Sequence, residues 1–163
     1  MKKRNKLAVI GLGNSLLADE GAGLRAIDLL KEKLSRDRLA VDLLDAGTPG
    51  LGLLHQFEDR EKIIFIDAGN CGVNPGEYKR FSPTQAVSRK EDARFSLHDF
   101  DLVKFLEFAD QMEMLKNVEV VIYCIQAADL FLSEKLSKPV RAGLDILVAE
   151  VYREIQTEKI AHA

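Results

Sequence analysis

The stretch Leu7-Ala8-Val9-Ile10-Gly11-Leu12-Gly13-Asn14-Ser15-Leu16-Leu17-Ala18-Asp19-Glu20-Gly21-Ala22-Gly23 decides how the rest of the chain is read. It opens with four apolar residues that stop at a glycine, the pattern of a short strand buried on both faces. A glycine-framed loop follows. From Ala22 to Leu34, apolar Leu24, Ile27, Leu30 and Leu34 recur at helical spacing, with Glu and Lys on the other face. Strand, loop and helix in that order make the first unit of an alternating α/β chain.

Working outward, the alternation continues. Val41-Asp42-Leu43-Leu44-Asp45 reads as a second strand, stopped by the turn cluster Ala46-Gly47-Thr48-Pro49-Gly50. A short helix through Leu51, Leu54 and Phe57 leads to Ile63-Ile64-Phe65-Ile66, the strongest strand signal of the first half. Tyr78 to Phe81, after the turn Asn74-Pro75-Gly76, reads as a short edge strand. Ser82 to Arg94 is polar and reads as a loop, and Ser96-Leu97-His98-Asp99 has the form of an N-cap with an acidic N3 residue. The helix expected there turns Leu102, Phe105, Leu106, Ala109 and Met112 inward. Val118 to Ile125 is the other clear buried strand. A last helix starts near Ser137, tolerates Pro139 in its first turn, and runs through Val140, Leu144, Leu147, Val151 and Ile155. These elements predict a single three-layer α/β/α domain over residues 1–163, with its core at about 7–157. Its sheet is expected to be twisted, largely parallel and of about five strands, with helices on both faces. In such a sheet ligands sit beyond the carboxyl ends of the strands.

Composition narrows the function classes. The 163 residues are 47% hydrophobic and 30% charged, which is the balance of a chain that buries a core. Lys and Arg number 23 against 26 Asp and Glu, for a net charge of −3, which argues against a nucleic-acid or anionic-membrane surface. The longest apolar run, Val118 to Ala128, is interrupted by Glu119 and Gln126, so no membrane span is expected. The apolar stretch after the basic N-terminus is too short for a signal peptide, so the expected location is the cytoplasm. Two cysteines, Cys71 and Cys124, make no CxxC pair, which excludes zinc-ribbon and thioredoxin chemistry. Any histidine chemistry must choose among His55, His98 and His162.

Three polar segments leave strand ends: the 11–23 loop, Asp45-Ala46-Gly47-Thr48, and Asp67-Ala68-Gly69-Asn70. The first begins like a dinucleotide fingerprint, but Leu16 stands where the third glycine belongs. Asp19 and Glu20 also occupy the helix N-terminus that a phosphate would need. Acids there can simply cap the helix, but two of them in one glycine-framed loop favour a further role for one. Asp67 can serve an Asx turn, and His98 can be a capping residue. Taken together, two carboxylates and one imidazole at element ends on the ligand side of the sheet can form a mononuclear metal site. An N/O donor set with open positions suits zinc, nickel or a neighbour, and a helix N-terminus keeps His98 neutral. Asp45 is placed either to line the cleft or to hold its own turn. His55 reads as a boundary residue and Cys124 as core. Cys71 is close enough in sequence to approach the site, but it has no evident base.

The stretch from Val9 to Gly23 resembles the opening signature of the hydrogenase maturation endopeptidases, which trim the C-terminal tail of nickel–iron hydrogenase large subunits. The resemblance continues through Asp45-Ala46-Gly47-Thr48, Ile66-Asp67-Ala68 and Ser96-Leu97-His98, and covers about Leu7 to Ile155. It implies that Glu20 (the acid before Gly21-Ala22-Gly23), Asp67 and His98 are the metal-binding and catalytic residues, and leaves Asp19 to cap the helix or brace the loop. Asp45, Gly47 and Thr48, at the end of the second strand, are expected as substrate contacts. The resemblance implies a divalent metal as cofactor, nickel supplied by the precursor, with zinc or cadmium as possible surrogates. The implied partner is the large-subunit precursor, with no nucleic acid and no membrane. One departure bears on which hydrogenase is processed. Cys124-Ile125-Gln126-Ala127-Ala128-Asp129 stands where the family carries a Gly-Ile-Gln-Pro-Glu-like motif. Two other classes compete: a non-catalytic nickel-binding assembly factor or chaperone on the same fold, and a nucleotide-binding module, against which the missing glycine and acidic loop count.

Overall fold

Apolar residues alternate in parity along the inner strands, and that alternation sorts the core into two layers. Residues i and i+2 of a strand share a face. Leu7, Val9, Ile64, Ile66, Val121 and Tyr123 therefore point to one side, and Ala8, Ile10, Ile63, Phe65, Val120 and Ile122 to the other. The computed structural model describes residues 4–37, 39–48, 50–89, 96–97 and 102–161. Its strands are β1 (Leu7–Leu12), β2 (Val41–Gly47), β3 (Lys62–Asn70), β4 (Tyr78–Phe81), β5 (Ser96–Leu97) and β6 (Glu119–Gln126). Its α-helices are α1 (Ala22–Leu34), α2 (Pro83–Ser88), α3 (Leu102–Gln111) and α4 (Lys138–Ala161). Two 3₁₀ segments, Ala18–Gly21 and Leu51–Phe57, complete the order.

The sheet runs β2-β1-β3-β6-β4, with β5 paired to β3. β2, β1, β3 and β6 are parallel, while β4 and β5 pair antiparallel to β6 and β3. Helices α1 and α4 cover the first face, and α2, α3 and the 51–57 segment cover the second. Phe57 ties that second layer together, its ring 6.4 Å from Phe65 and 5.9 Å from Phe105. α1 lies close enough to the sheet that a Cβ on Gly23 would stand 2.3 Å from the Leu12 carbonyl oxygen and 2.4 Å from that of Ile66. Only glycine permits that approach. No helix among the described residues is long and apolar enough to cross a membrane.

Two local expectations are corrected. Within the stretch expected to be a loop from Ser82 to Arg94, Pro83–Ser88 is a helix. Ser82 and Gln85 form a reciprocal capping box and Pro83 sits in the first turn, a signal that outweighs the polar composition. Ser96 does not cap a helix, because Ser96–Leu97 is strand β5 against Gly69 and Asn70, and α3 begins at Leu102. The two-residue length of β5 gives no alternation to read.

The amino end of β3 carries a buried cation. Lys62 Nζ lies 2.6 Å from Glu158, 2.9 Å from Glu154 and 3.2 Å from Glu119. Glu154 also accepts from Arg80 at 2.8 Å and from the Tyr123 hydroxyl at 2.6 Å. Burial alone would raise the Glu154 carboxyl, but hydrogen bonds from Arg80, Tyr123 and Lys62 hold it down at about 2. Burial likewise opposes the Lys62 charge, and the surrounding carboxylates raise its pKa above the ordinary lysine value. This end of the strand is electrically closed.

Candidate functional site

The carboxyl end of the same strand is built differently. β1 and β3 are neighbours, with Gly11 opposite Ile66, so the loop leaving β1 lies beside Asp67. Gly13 has a φ of 130°, and a Cβ there would stand 1.8 Å from the Glu20 carbonyl oxygen. The loop can therefore fold back on itself only with glycine at that point, and this brings the 3₁₀ turn Ala18–Gly21 onto β3. Ala18 adopts a left-handed φ of 44°, uncommon for a residue with a Cβ, while its N–H donates to the Ser133 carbonyl at 2.6 Å.

Glu20 and Asp67 are both buried. Burial raises the Asp67 carboxyl, one hydrogen bond from the Ala68 N–H at 2.9 Å opposes the rise, and the charge of Glu20 adds to it, with the result at about 7. Two acids with that mutual effect are a poor arrangement for stability and a good one for receiving a cation. Among the described residues no group of three His, Cys, Asp or Glu stands ready to hold a metal ion. His98 lies outside the described residues; Leu97, the residue before it in sequence, pairs with Gly69 on β3, at the same rim as Asp67.

Asp19 is buried beside Glu20 but faces elsewhere. Its carboxylate accepts from the N–H groups of Ala128 and Asp129, both at 2.8 Å, and from the Ser137 N–H at 2.7 Å and hydroxyl at 2.9 Å. It makes no cap on its own helical turn. Of the two roles left to it, Asp19 braces a loop, and that loop is the one leaving β6. Adjacent residues on a tight turn diverge, so Asp19 turns to the 128–137 segment while the charge of Glu20 acts on Asp67.

The second loop is pinned to the first by the Gly13 N–H, which donates to the Gly47 carbonyl at 2.9 Å. Asp45 is exposed and accepts from the Gly47 N–H at 3.1 Å, so in this state it holds its own turn, and Thr48 is exposed beside it. His55 is exposed and lies 3.1 Å from Glu58. His162 lies outside the described residues.

Sequence reading missed two features of the rim. Gln126 ends β6 and its side-chain oxygen accepts from the N–H of Cys71 at 2.9 Å, Gly72 at 3.1 Å and Val73 at 3.4 Å, fixing the loop after β3. A lone amide closing an apolar strand was the available signal. Cys71 and Cys124 are also neighbours: the Cys71 thiol donates to the Cys124 carbonyl oxygen at 3.4 Å, and the interaction between the two side chains lowers the pKa of Cys71 and raises that of Cys124. Both are buried in the core layer below the rim, where neither is open to a substrate.

A family model described as hydrogenase maturation protease matches residues 24–154. The chain is 31% identical over 155 residues to the hydrogenase expression/formation protein HupD of Rhodobacter capsulatus, covering 94% of this chain and 73% of that protein. It is 32% identical over 126 residues to HupD of Bradyrhizobium diazoefficiens, covering 77% of this chain and 65% of that one. Among solved structures, the NiFe hydrogenase maturation protease HybD from Thermococcus kodakarensis superimposes with a TM-score of 0.75 at 27% identity, over 92% of this chain and 99% of that one.

Proposed function

The chain belongs to the hydrogenase maturation protease family, and from that premise we propose that it removes the C-terminal extension of a nickel–iron hydrogenase large-subunit precursor after nickel insertion. Glu20, Asp67 and His98 are the side chains assigned to meet that nickel, which arrives as part of the substrate. The buried Glu20–Asp67 pair carries this reading. A divalent cation delivered to it would offset the burial cost, and with it the smaller Glu20 repulsion, that raises Asp67, and two carboxylates with an imidazole suit nickel, with zinc or cadmium as surrogates.

When bound, such an ion supplies Lewis-acid polarisation of the scissile carbonyl or of a water. The chain's own residues do the rest. The Ala68 N–H orients the Asp67 carboxylate, and Gly13 allows Glu20 to close on β3. Burial of both acids keeps bulk water from weakening their field. Asp45, Gly47 and Thr48 border the same rim and are assigned to contact the substrate backbone. No Ser or Cys nucleophile is required.

The deciding experiment incubates the purified protein with nickel-loaded and with nickel-free precursor and follows intact mass. Loss of a C-terminal fragment from the nickel-loaded form alone is the expected result. A protein that binds nickel-loaded precursor and never shortens it would be an assembly factor instead.

A further inference from the structure

The loop leaving β6 exposes apolar side chains where polar ones are the norm. Leu130 is 41% exposed, Phe131 61% and Leu132 80%, and Leu16 in the 11–23 loop is 50% exposed. Leu16 joins the other three through its carbonyl, which accepts from the Ser133 N–H at 2.9 Å, and Leu17 forms a parallel bridge with Ser133. Single exposed leucines need no explanation, but four large apolar residues on two hydrogen-bonded segments make a patch.

The patch is also rigidly held. Asp19 takes four hydrogen bonds from Ala128, Asp129 and Ser137, and Ala18 donates to Ser133 from within the loop. A segment anchored at both ends and in the middle has lost its chain entropy before any partner arrives. Its anchor is the residue next to Glu20.

We infer that Leu16, Leu130, Phe131 and Leu132 form a docking platform for an apolar surface of the hydrogenase large-subunit precursor, seating that protein beside Glu20 and Asp67. The inference rests on the proposed function. Continuity with the site selects the occupant. The loop bearing Leu130, Phe131 and Leu132 is hydrogen-bonded through Ala128, Asp129 and Ser133 to Ala18 and Asp19, the residues just before Glu20, so a protein whose scissile bond reaches Glu20 lays its neighbouring surface across this loop. Apolar recognition of this kind depends little on ionic strength.

The test uses the double variant Phe131→Ser/Leu132→Ser and a full-length, nickel-free large-subunit precursor carrying its extension. Binding is read by interferometry at low and high salt. The expected result is at least a tenfold weaker Kd at both salt concentrations, an unchanged Tm, and with nickel-loaded precursor a loss that appears in KM rather than kcat. Affinity within twofold of the parent would overturn the platform. So would sedimentation showing that the parent is a dimer and the variant a monomer, because a second copy would then be the occupant. If the double variant does not fold, a photo-crosslinking residue at position 132 replaces it. A crosslink to precursor supports the platform, and none, or one to a second copy, removes it. Failure of the two readings is distinguishable. A parent protein that binds precursor through this loop and never cleaves it sinks the protease and spares the platform; a double variant that binds and cleaves normally does the reverse.

Discussion

Strand β3 carries a buried ionisable side chain near each end, and the two ends treat it in opposite ways. Lys62 is surrounded by Glu119, Glu154 and Glu158, and the neighbouring charges on Arg80 and the hydroxyl on Tyr123 complete the set. Asp67 has one backbone N–H and, beside it, another acid. Burying a charge is costly unless partners replace the lost water. At Lys62 the partners are present, so the charge serves the fold. At Asp67 burial and the charge of Glu20 raise the carboxyl against the single Ala68 N–H, so this charge does not serve the fold. The difference separates a charge stabilised by opposite charges from one raised by burial and a like charge on a single strand.

Substitutions at the two ends should therefore separate activity from stability. The largest effect is expected at the carboxyl end. Glu20→Gln, Asp67→Asn and His98→Ala should each lower precursor processing by a factor on the order of 10³ or more, since each removes a group assigned to the reacting centre. Asp67→Asn should also melt no lower than the parent in the metal-free protein, because it removes a like charge from a buried pair. Cleavage followed by mass spectrometry and a thermal melt test both statements, and a His98→Ala protein that cleaves at the parental rate would remove that residue from the ligand set.

Lys62→Met inverts the pattern. Removing the buried cation from the half-buried Glu154 and Glu158, of which Glu154 keeps Arg80 and Tyr123 as partners, should cost about 1 kcal/mol, read as a lower urea midpoint at constant slope, while the folded fraction keeps its processing rate. A loss of activity larger than the loss of folded protein would mean that the amino end is not merely structural.

Asp19→Asn tests the boundary between the two classes. An amide cannot accept four hydrogen bonds as the carboxylate does, so a destabilisation of about 1–2 kcal/mol is expected. Processing should fall roughly tenfold through loosening of the 127–137 loop, well short of the Glu20→Gln effect. If Asp19→Asn is the more damaging of the two in the cleavage assay, the roles of the adjacent acids must be exchanged.

The effect confined to acid pH is a slope. Glu154 has its carboxyl held at about 2, below the ordinary 4.5. A depressed acid contributes stability that is complete above the unfolded pKa and is lost as pH falls toward the folded one. Urea midpoints should therefore decline between pH 4.5 and about 2, by at most about 1.4 kcal/mol per pH unit for this one proton. Glu154→Gln should flatten that part of the curve without altering its shape above pH 6.

Much of this molecule is legible one residue at a time. Apolar runs at Leu7–Ile10, Ile63–Ile66 and Val118–Ile125 form the parallel centre of the sheet, and helical spacing at 22–34 and 140–155 forms the helices on its first face. These signals are local, because a strand or helix buries whichever face its own period makes apolar. The capping box at Ser82–Gln85 is equally local, and it sets a helix inside a stretch that polar composition alone reads as loop. Strand β5, two residues long, left no periodicity to find.

The acids of the 11–23 loop mark where local reasoning stops. Composition and spacing place Asp19 and Glu20 together at a strand end, but nothing in their immediate sequence distinguishes them. The choice is made by segments far along the chain. Ala128, Asp129 and Ser137 turn Asp19 into a structural anchor, and β3, packed beside β1, brings Asp67 to Glu20. The same long-range contacts hold Leu130, Phe131 and Leu132 in water next to the site. Sequence alone determined which residues could be buried, charged or flexible enough for each element, because those preferences belong to single residues and their near neighbours. Tertiary structure decided which partners each buried charge met, because a carboxylate's partners are whatever the folded chain places within about 3 Å of it.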